Sequence, residues 1–339
     1  MYPLLANNVL KKLVAQARKF QKNKAWNETA LPSLIGFIEP KSNIKYFCNV
    51  IGSDQGMQAL NIYPKEAGLL KCLDARNPYC IDASFQQDIV SFSIDTWDEL
   101  HDEEYDQYKE LNFKFPQNKC FIFHRYHTGY YPITMNKEDS DILMVGFEII
   151  QHAFSLIKDE STKNCFSHKK NSLIAMFTMV ENEWVLGFED IQDYRMTLEI
   201  TPIDSYVNDT IRNFKNEDTW ELGIYYLPTP LPSIKPYHFY FPQTLFVFDK
   251  EKTEIVGLII KEEMKPIYSL SEKFFEVIKE QRCKPEKIIF RNPQTAALFT
   301  GVEEALDCKC FFNFSKESVL DDIWKGYSNL TQTKPKLKN

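Results

Sequence analysis

The sequence is short of the residues from which the commonest nucleotide and metal sites are built. Its 339 residues include 11 glycines, and none has the spacing of a phosphate-binding loop or a dinucleotide fingerprint. Asp54-Gln55-Gly56 and Tyr63-Pro64-Lys65-Glu66-Ala67-Gly68 put glycine near strand ends, where a turn is the simplest account. There is no Gly-x-Ser-x-Gly elbow and no His-Glu-x-x-His helix. Eight cysteines are scattered without a Cys-x-x-Cys pair. Cys308-Lys309-Cys310 would point both sulfurs to one side of a strand, but the segment offers no two further zinc ligands. No unbroken run reaches about 18 apolar residues, and the N-terminus has no apolar leader. These absences predict a soluble, cytoplasmic protein with reduced thiols, no membrane partner and no cofactor.

Charge of one sign is also lacking. Lysine and arginine number 40 against 47 acids, a formal charge of −7, which disfavours broad binding to nucleic acid or to an anionic membrane. The basic tail, Lys334 to Lys338, reads as a solvated end. Aromatic residues, by contrast, are abundant, with 26 Phe and 17 Tyr. They build thick cores, and those left at the surface favour a protein partner or self-association.

Length predicts at least two domains. The first, about 1–160, reads as α+β with antiparallel hairpins: a helix over Val9–Phe20, strands at 33–39, 44–51, 58–63, 88–94 and 120–124, and an acidic helix at 102–111. Pro64 sits where a helix over 66–73 could begin. Asn136 and Asp139 approach a capping box for a long closing helix through Ile157. A middle β-rich segment, 171–235, carries a hairpin about Glu181-Asn182-Glu183, strands near 196–200 and 220–227, and ends in a proline cluster. The last module, 240–328, alternates as β-β-α-β-α-β-α, an α/β order with a mixed sheet. Ser269–Glu272 resembles a capping box, and Asn292-Pro293 reads as an N-cap followed by proline at the first helical position, with that helix running to Leu306. Residues 329–339 form the basic tail.

Two places carry candidate chemistry. His124-Arg125-Tyr126-His127-Thr128-Gly129-Tyr130-Tyr131-Pro132 is the densest polar-aromatic stretch. Strand alternation turns His124 and Tyr126 one way, Arg125 and His127 the other. Together with Tyr130 and Tyr131 they could line a ligand or partner pocket, although a structured loop with Gly129 supplying a permissive backbone is the simpler account. The imidazoles of His124 and His127 lack further ligands at metal spacing. The second place is the last module, whose order is distantly ribonuclease-H-like. Such enzymes activate water with metals held by carboxylates, and Asp249, Glu276 and Asp321 are the candidates. Against it, Arg291-Asn292 stands where another acid belongs, and the hairpin lacks a third antiparallel strand. The acidic run Asp98-Glu99, Asp102-Glu103-Glu104, Asp106 reads as the solvated face of a helix.

The landmarks Trp26, Gly36–Pro40, Tyr46–Gly52, Ala59–Tyr63, Leu111–Phe115 and Arg125–Pro132 resemble a family of uncharacterised bacterial proteins. In that family the last box has proline where Thr128 stands. Residues 243–325, marked by the Asp249 hairpin and Lys284-Pro285-Glu286-Lys287-Ile288, resemble a second module that accompanies the first. The resemblance implies a two-module bacterial architecture and brings no catalytic residues.

With no coherent catalytic set, the sequence points first to a non-catalytic binding or scaffold protein. The alternatives are a metal-dependent hydrolase or nuclease around Asp249, and a small-ligand sensor with its pocket near His124 to Tyr131.

Overall fold

The computed structural model describes residues 4–24, 34–52, 57–77, 80–115, 118–159, 161–162, 166, 173–191, 203, 206–234, 239–314 and 318–331. Trp26, Asp54 to Gly56, the strand expected near 196–200 and the basic tail lie outside these. The chain divides into two compact units. The first comprises 1–73, 87–128 and 132–196; the second comprises 74–86, 129–131 and 197–339.

The first unit is α+β. Its eight-stranded sheet begins as an antiparallel meander of β1 (Ile35–Ile38), β2 (Lys45–Gly52), β3 (Gln58–Pro64), β4 (Ile89–Thr96), β5 (Lys119–Tyr126) and β6 (Ile133–Thr134). A hairpin of β7 (Leu173–Val180) and β8 (Glu183–Asp190) extends it, with β7 parallel to β1. Glu181 and Asn182 both have positive φ, 50° and 67°, as a tight two-residue hairpin turn requires. Pro64 ends β3 instead of opening α2 (Lys65–Asp74).

Two helices, α1 (Asn7–Asn23) and α4 (Lys137–Lys158), pack together on one face of this sheet. The apolar positions expected at helical spacing, Leu10, Leu13, Val14 and Ala17, are all buried. In α4 the expected cap forms: Asn136 Oδ1 accepts from the Asp139 N–H at 2.9 Å, and Asp139 Oδ2 accepts from the Asn136 N–H at 3.2 Å. By length and composition α4 could cross a membrane, a property that counting unbroken apolar runs overlooks. Its Leu143, Phe147, Ile150 and Phe154 are buried with Phe20, Phe37 and Phe92, the setting of a core helix. The opposite face carries a smaller cluster including Leu69 and Cys72 of α2.

The second unit is mixed α/β, with strands and helices alternating. Its five-stranded sheet has the order β13 (Glu254–Ile260), β12 (Gln243–Asp249), β9 (Asn216–Tyr226), β14 (Lys284–Phe290), β15 (Lys309–Phe312). A short helix, α5 (Asp209–Arg212), precedes β9, and the antiparallel pair β10 (Leu231–Pro232) and β11 (Phe239–Tyr240) separates β9 from β12. β12 runs antiparallel to both neighbours, whereas β9, β14 and β15 are parallel. The sequence expectation of a hairpin without a third antiparallel strand is therefore corrected. β9 supplies that strand and stands at the centre of the sheet, and Asp249 closes β12 beside it.

Helix α6 (Ser269–Gln281) connects β13 to β14 and buries Leu270, Phe274, Phe275 and Ile278 against Trp220, Leu222, Ile224 and Ile288. Ser269 is not its cap. Tyr268 holds the N-cap position without a side-chain bond, and Ser269 donates to the Pro266 carbonyl. Asn292 does cap the next helix, α7 (Pro293–Leu298), accepting from the Thr295 N–H at 2.9 Å. The expected run to Leu306 breaks at Gly301, whose φ of +89° is left-handed, and resumes as α8 (Val302–Leu306). The closing helix, α9 (Val319–Thr331), packs Leu320 and Trp324 against Tyr225, Phe246 and Phe248 on the other face.

Candidate functional site

Three carboxylate clusters concentrate the polar chemistry of the described residues. The first is built on α3 (Asp102–Glu110), where Glu104, Gln107 and Tyr108 are the buried residues. Glu104 lies on that inward stripe, so the reading of the acidic run as wholly solvated is corrected at this position. Glu104 Oε2 accepts from the His101 backbone N–H at 3.0 Å and lies 3.0 Å from His124 Nε2 on β5. Its Oε1 accepts from the Thr134 hydroxyl on β6, also at 3.0 Å. The His101 and His124 rings lie 5.0 Å apart, tilted by 34°. All three residues are under a tenth exposed. Burial pushes Glu104 up, but His124 and His101 more than offset it and hold the carboxyl below its usual range. Burial and the neighbouring His124 depress His101. One donor atom from each of His101, Glu104 and His124 falls within 4.8 Å of the others.

The second cluster lies at the β12–β13 turn and the start of β9. Asp218, Asp249 and Glu251 bring one oxygen each within 4.8 Å of the others. The Lys252 ammonium bridges Asp218 Oδ2 at 2.9 Å and Asp249 Oδ2 at 3.0 Å. Turn closure uses the same groups, since Asp249 Oδ1 accepts from the Lys252 N–H and Glu251 from the Thr219 N–H. Burial raises Asp249, yet the Lys252 bonds and charge bring it below the ordinary aspartate value.

The third cluster joins β9, the end of β14 and α9. Arg291 Nη2 meets Asp321 Oδ2 at 2.7 Å, and Arg291 Nε lies 3.3 Å from Glu221 Oε1. Its Nη1 donates to the Asn313 carbonyl. Tyr225 donates to Asp321 Oδ1 at 3.0 Å. Burial raises Glu221 against the lowering effects of Ser318 and Arg291.

The residues singled out from sequence distribute themselves over these clusters and beyond. Asp249 belongs to the second and Asp321 to the third, while Glu276 is exposed on α6. Within the polar-aromatic box, His124 belongs to the first cluster. Arg125 on the opposite side of β5 pairs with Asp88 at 2.5 Å and with the helix-capping Asp139 at 3.3 Å. His127 Nδ1 is 3.8 Å from Asp88. Tyr126 stacks edge-on toward His124, 6.4 Å between rings. Tyr130 donates to Glu263 at 3.1 Å, and the Tyr131 N–H donates to the Phe239 carbonyl. His101, Glu104, Asp218 and Glu221 were not singled out. For Glu104 the signal was present, as its helical spacing with Gln107, Tyr108 and Leu111 marks an inward face.

Comparison with known proteins finds two distinct domains of unknown function. The model described as domain of unknown function DUF7309 matches residues 11–176, and that described as DUF6930 matches residues 209–327. The two-module organisation is thus supported. No curated protein matches the chain.

Proposed function

We propose that this is a metal-binding protein whose ion is held in the first unit by His101, Glu104 and His124. The observation that carries the reading is the convergence of two imidazoles and one carboxylate, all buried, within 4.8 Å. That donor set suits zinc and other borderline first-row ions. The surroundings support it. Thr134 and the His101 N–H orient Glu104, and the His101 ring bonds to the Pro132 backbone, as outer-shell groups orient metal ligands. Loading requires the His124–Glu104 hydrogen bond to yield, and protons compete with metal for imidazole and carboxylate donors, so affinity should weaken as pH falls.

The test is metal analysis and thermal shift with Zn²⁺, Co²⁺, Mn²⁺ and Fe²⁺, alongside His101→Gln and Glu104→Gln. The wild type should hold one equivalent that both variants lose. No bound metal and no shift with any of the four ions would overturn the proposal.

A second reading keeps the metal-dependent hydrolase or nuclease around Asp249. One observation favours it: the convergence of Asp218, Asp249 and Glu251. A hard divalent ion held by these oxygens would activate water on a phosphodiester, once Lys252 is displaced. Mg²⁺- or Mn²⁺-dependent cleavage of RNA, DNA or a simple phosphodiester, lost in Asp249→Asn, would support it; a wild type inert with both ions would end it. The scaffold reading rested on the lack of a coherent catalytic set, on aromatic richness and on the multi-domain layout; these two groups bear on the first of the three.

A further inference from the structure

We infer that Arg291 is the resident cation of a carboxylate site at the centre of the second sheet, filling from within the chain a position that would otherwise take a divalent ion. In open α/β sheets, ligands bind beyond the carboxyl ends of the strands where the strand order reverses. Here that place lies between β9 and β14: the chain leaves β9 for β12 and β13 on one side, and β14 for β15 on the other. Arg291 directly follows β14, and its N–H donates to the Leu222 carbonyl of β9, fixing it at this junction.

Two acids face the same spot from different elements. Glu221 on β9 and Asp321 on α9 are each 2% exposed. Two buried carboxylates turned to one spot lose hydration and repel each other, and a cation between them offsets both costs. The guanidinium meets that demand on each side: Nε toward Glu221, Nη2 toward Asp321 and Nη1 toward the Asn313 carbonyl. It is itself 4% exposed. The Tyr225 hydroxyl and the Ser318 N–H complete the shell of Asp321. A divalent ion and this guanidinium cannot share the space, so a two-metal centre does not fit the residues at this crevice. This conclusion is independent of the first unit's histidine cluster.

The test is Arg291→Ser, which removes the internal cation and leaves both carboxylates. We expect it to melt well below the wild type without metal. Saturating Mn²⁺ or Mg²⁺ should raise its melting temperature on the order of 5 °C more than it raises that of the wild type. Adding Glu221→Gln and Asp321→Asn to Arg291→Ser should abolish that extra shift, which separates this site from His101–Glu104–His124. Should Arg291→Ser not fold alone, refolding with and without Mn²⁺ reads the same difference. Two results would overturn the inference. One is an Arg291→Ser protein, folded or refolding, on which Mn²⁺ and Mg²⁺ have no more effect than on the wild type. The other is a wild type whose own Mn²⁺ response disappears in Glu221→Gln/Asp321→Asn.

Discussion

Replacing Asp82 by asparagine tests the electrostatics of the second unit at a single carboxylate. Asp82 is 3% exposed. Its Oδ2 accepts from the Tyr226 N–H and its Oδ1 from the Gln86 amide, both at 2.8 Å, and no cation bonds to it among the described residues. Burial pushes its pKa from 3.8 to about 6, against the pull of those two donors. A rise of about 2 units corresponds to about 3 kcal/mol. The sign follows from proton uptake: between about pH 4 and pH 6 the folded state holds more protons than the unfolded state. Stability therefore falls as pH rises through that window. The penalty is absent below the unfolded value and fully present above the folded one. The side-chain amide introduced by Asp82→Asn would keep an acceptor for the Tyr226 N–H, and Gln86 can turn its own amide to present oxygen. Asp82→Asn should match the wild type near pH 3.5 and exceed it by up to about 3 kcal/mol at pH 7.5. Chemical denaturation of both proteins across that range, followed by tryptophan fluorescence, gives the difference directly. A difference that does not change with pH, or a wild type that gains on the variant as pH rises, would refute the reasoning.

Glu104→Gln should cost about 3 kcal/mol at neutral pH, because it removes the charge and turns one of the two acceptor oxygens that serve His124, Thr134 and the His101 N–H into a donor; urea denaturation measures it. Since the Glu104 pKa is depressed in the fold, the wild-type advantage should shrink as pH drops through the acid range. Lys252→Met takes the ammonium from the fully buried Asp249 and should cost on the order of 1–2 kcal/mol, a value discounted because Lys252 is 43% exposed. The same variant should bind Mn²⁺ more tightly than the wild type by titration calorimetry. Unchanged Mn²⁺ binding would count against the hydrolase reading at Asp249.

What the sequence revealed depended on how local the cause was. The Asn136–Asp139 cap, the turn at Glu181-Asn182 and the Asn292 cap with Pro293 behind it are each settled within about four residues, and each was legible. β9 was recognisable as a strand, but its partners β12 and β14 begin at residues 243 and 284. Its place at the centre of the second sheet therefore had no local signature. The candidate sites divide in the same way. Glu104 could have been assigned inward from its spacing, whereas the meeting of His101 with His124 depends on how α3 packs on β5. Arg291 was recognisable as a cation at a strand end, but only the fold brings Glu221 and Asp321 to it.

The three clusters also rank themselves by what already neutralises the acid. At Arg291 the competitor is a buried guanidinium ion-paired with Glu221 and Asp321 and donating to the Asn313 carbonyl, and an incoming ion would have to expel it into water through a packed interior. At Asp249 the competitor is an ammonium on a long, 43% exposed side chain, which can swing away at the cost of two ion pairs and leave the turn bonds in place. At Glu104 the neighbour is an imidazole that is itself a metal donor, so an ion would replace the single His124–Glu104 hydrogen bond and keep both groups as ligands. The Lys252 ammonium, whose pKa its partners raise, has to be displaced as a cation before an ion can sit at Asp249. Metal retained by the wild type and by Lys252→Met but lost in Glu104→Gln would therefore identify the His101–Glu104–His124 cluster, and metal that survives Glu104→Gln but is lost in Asp249→Asn would place the ion at the β12–β13 turn.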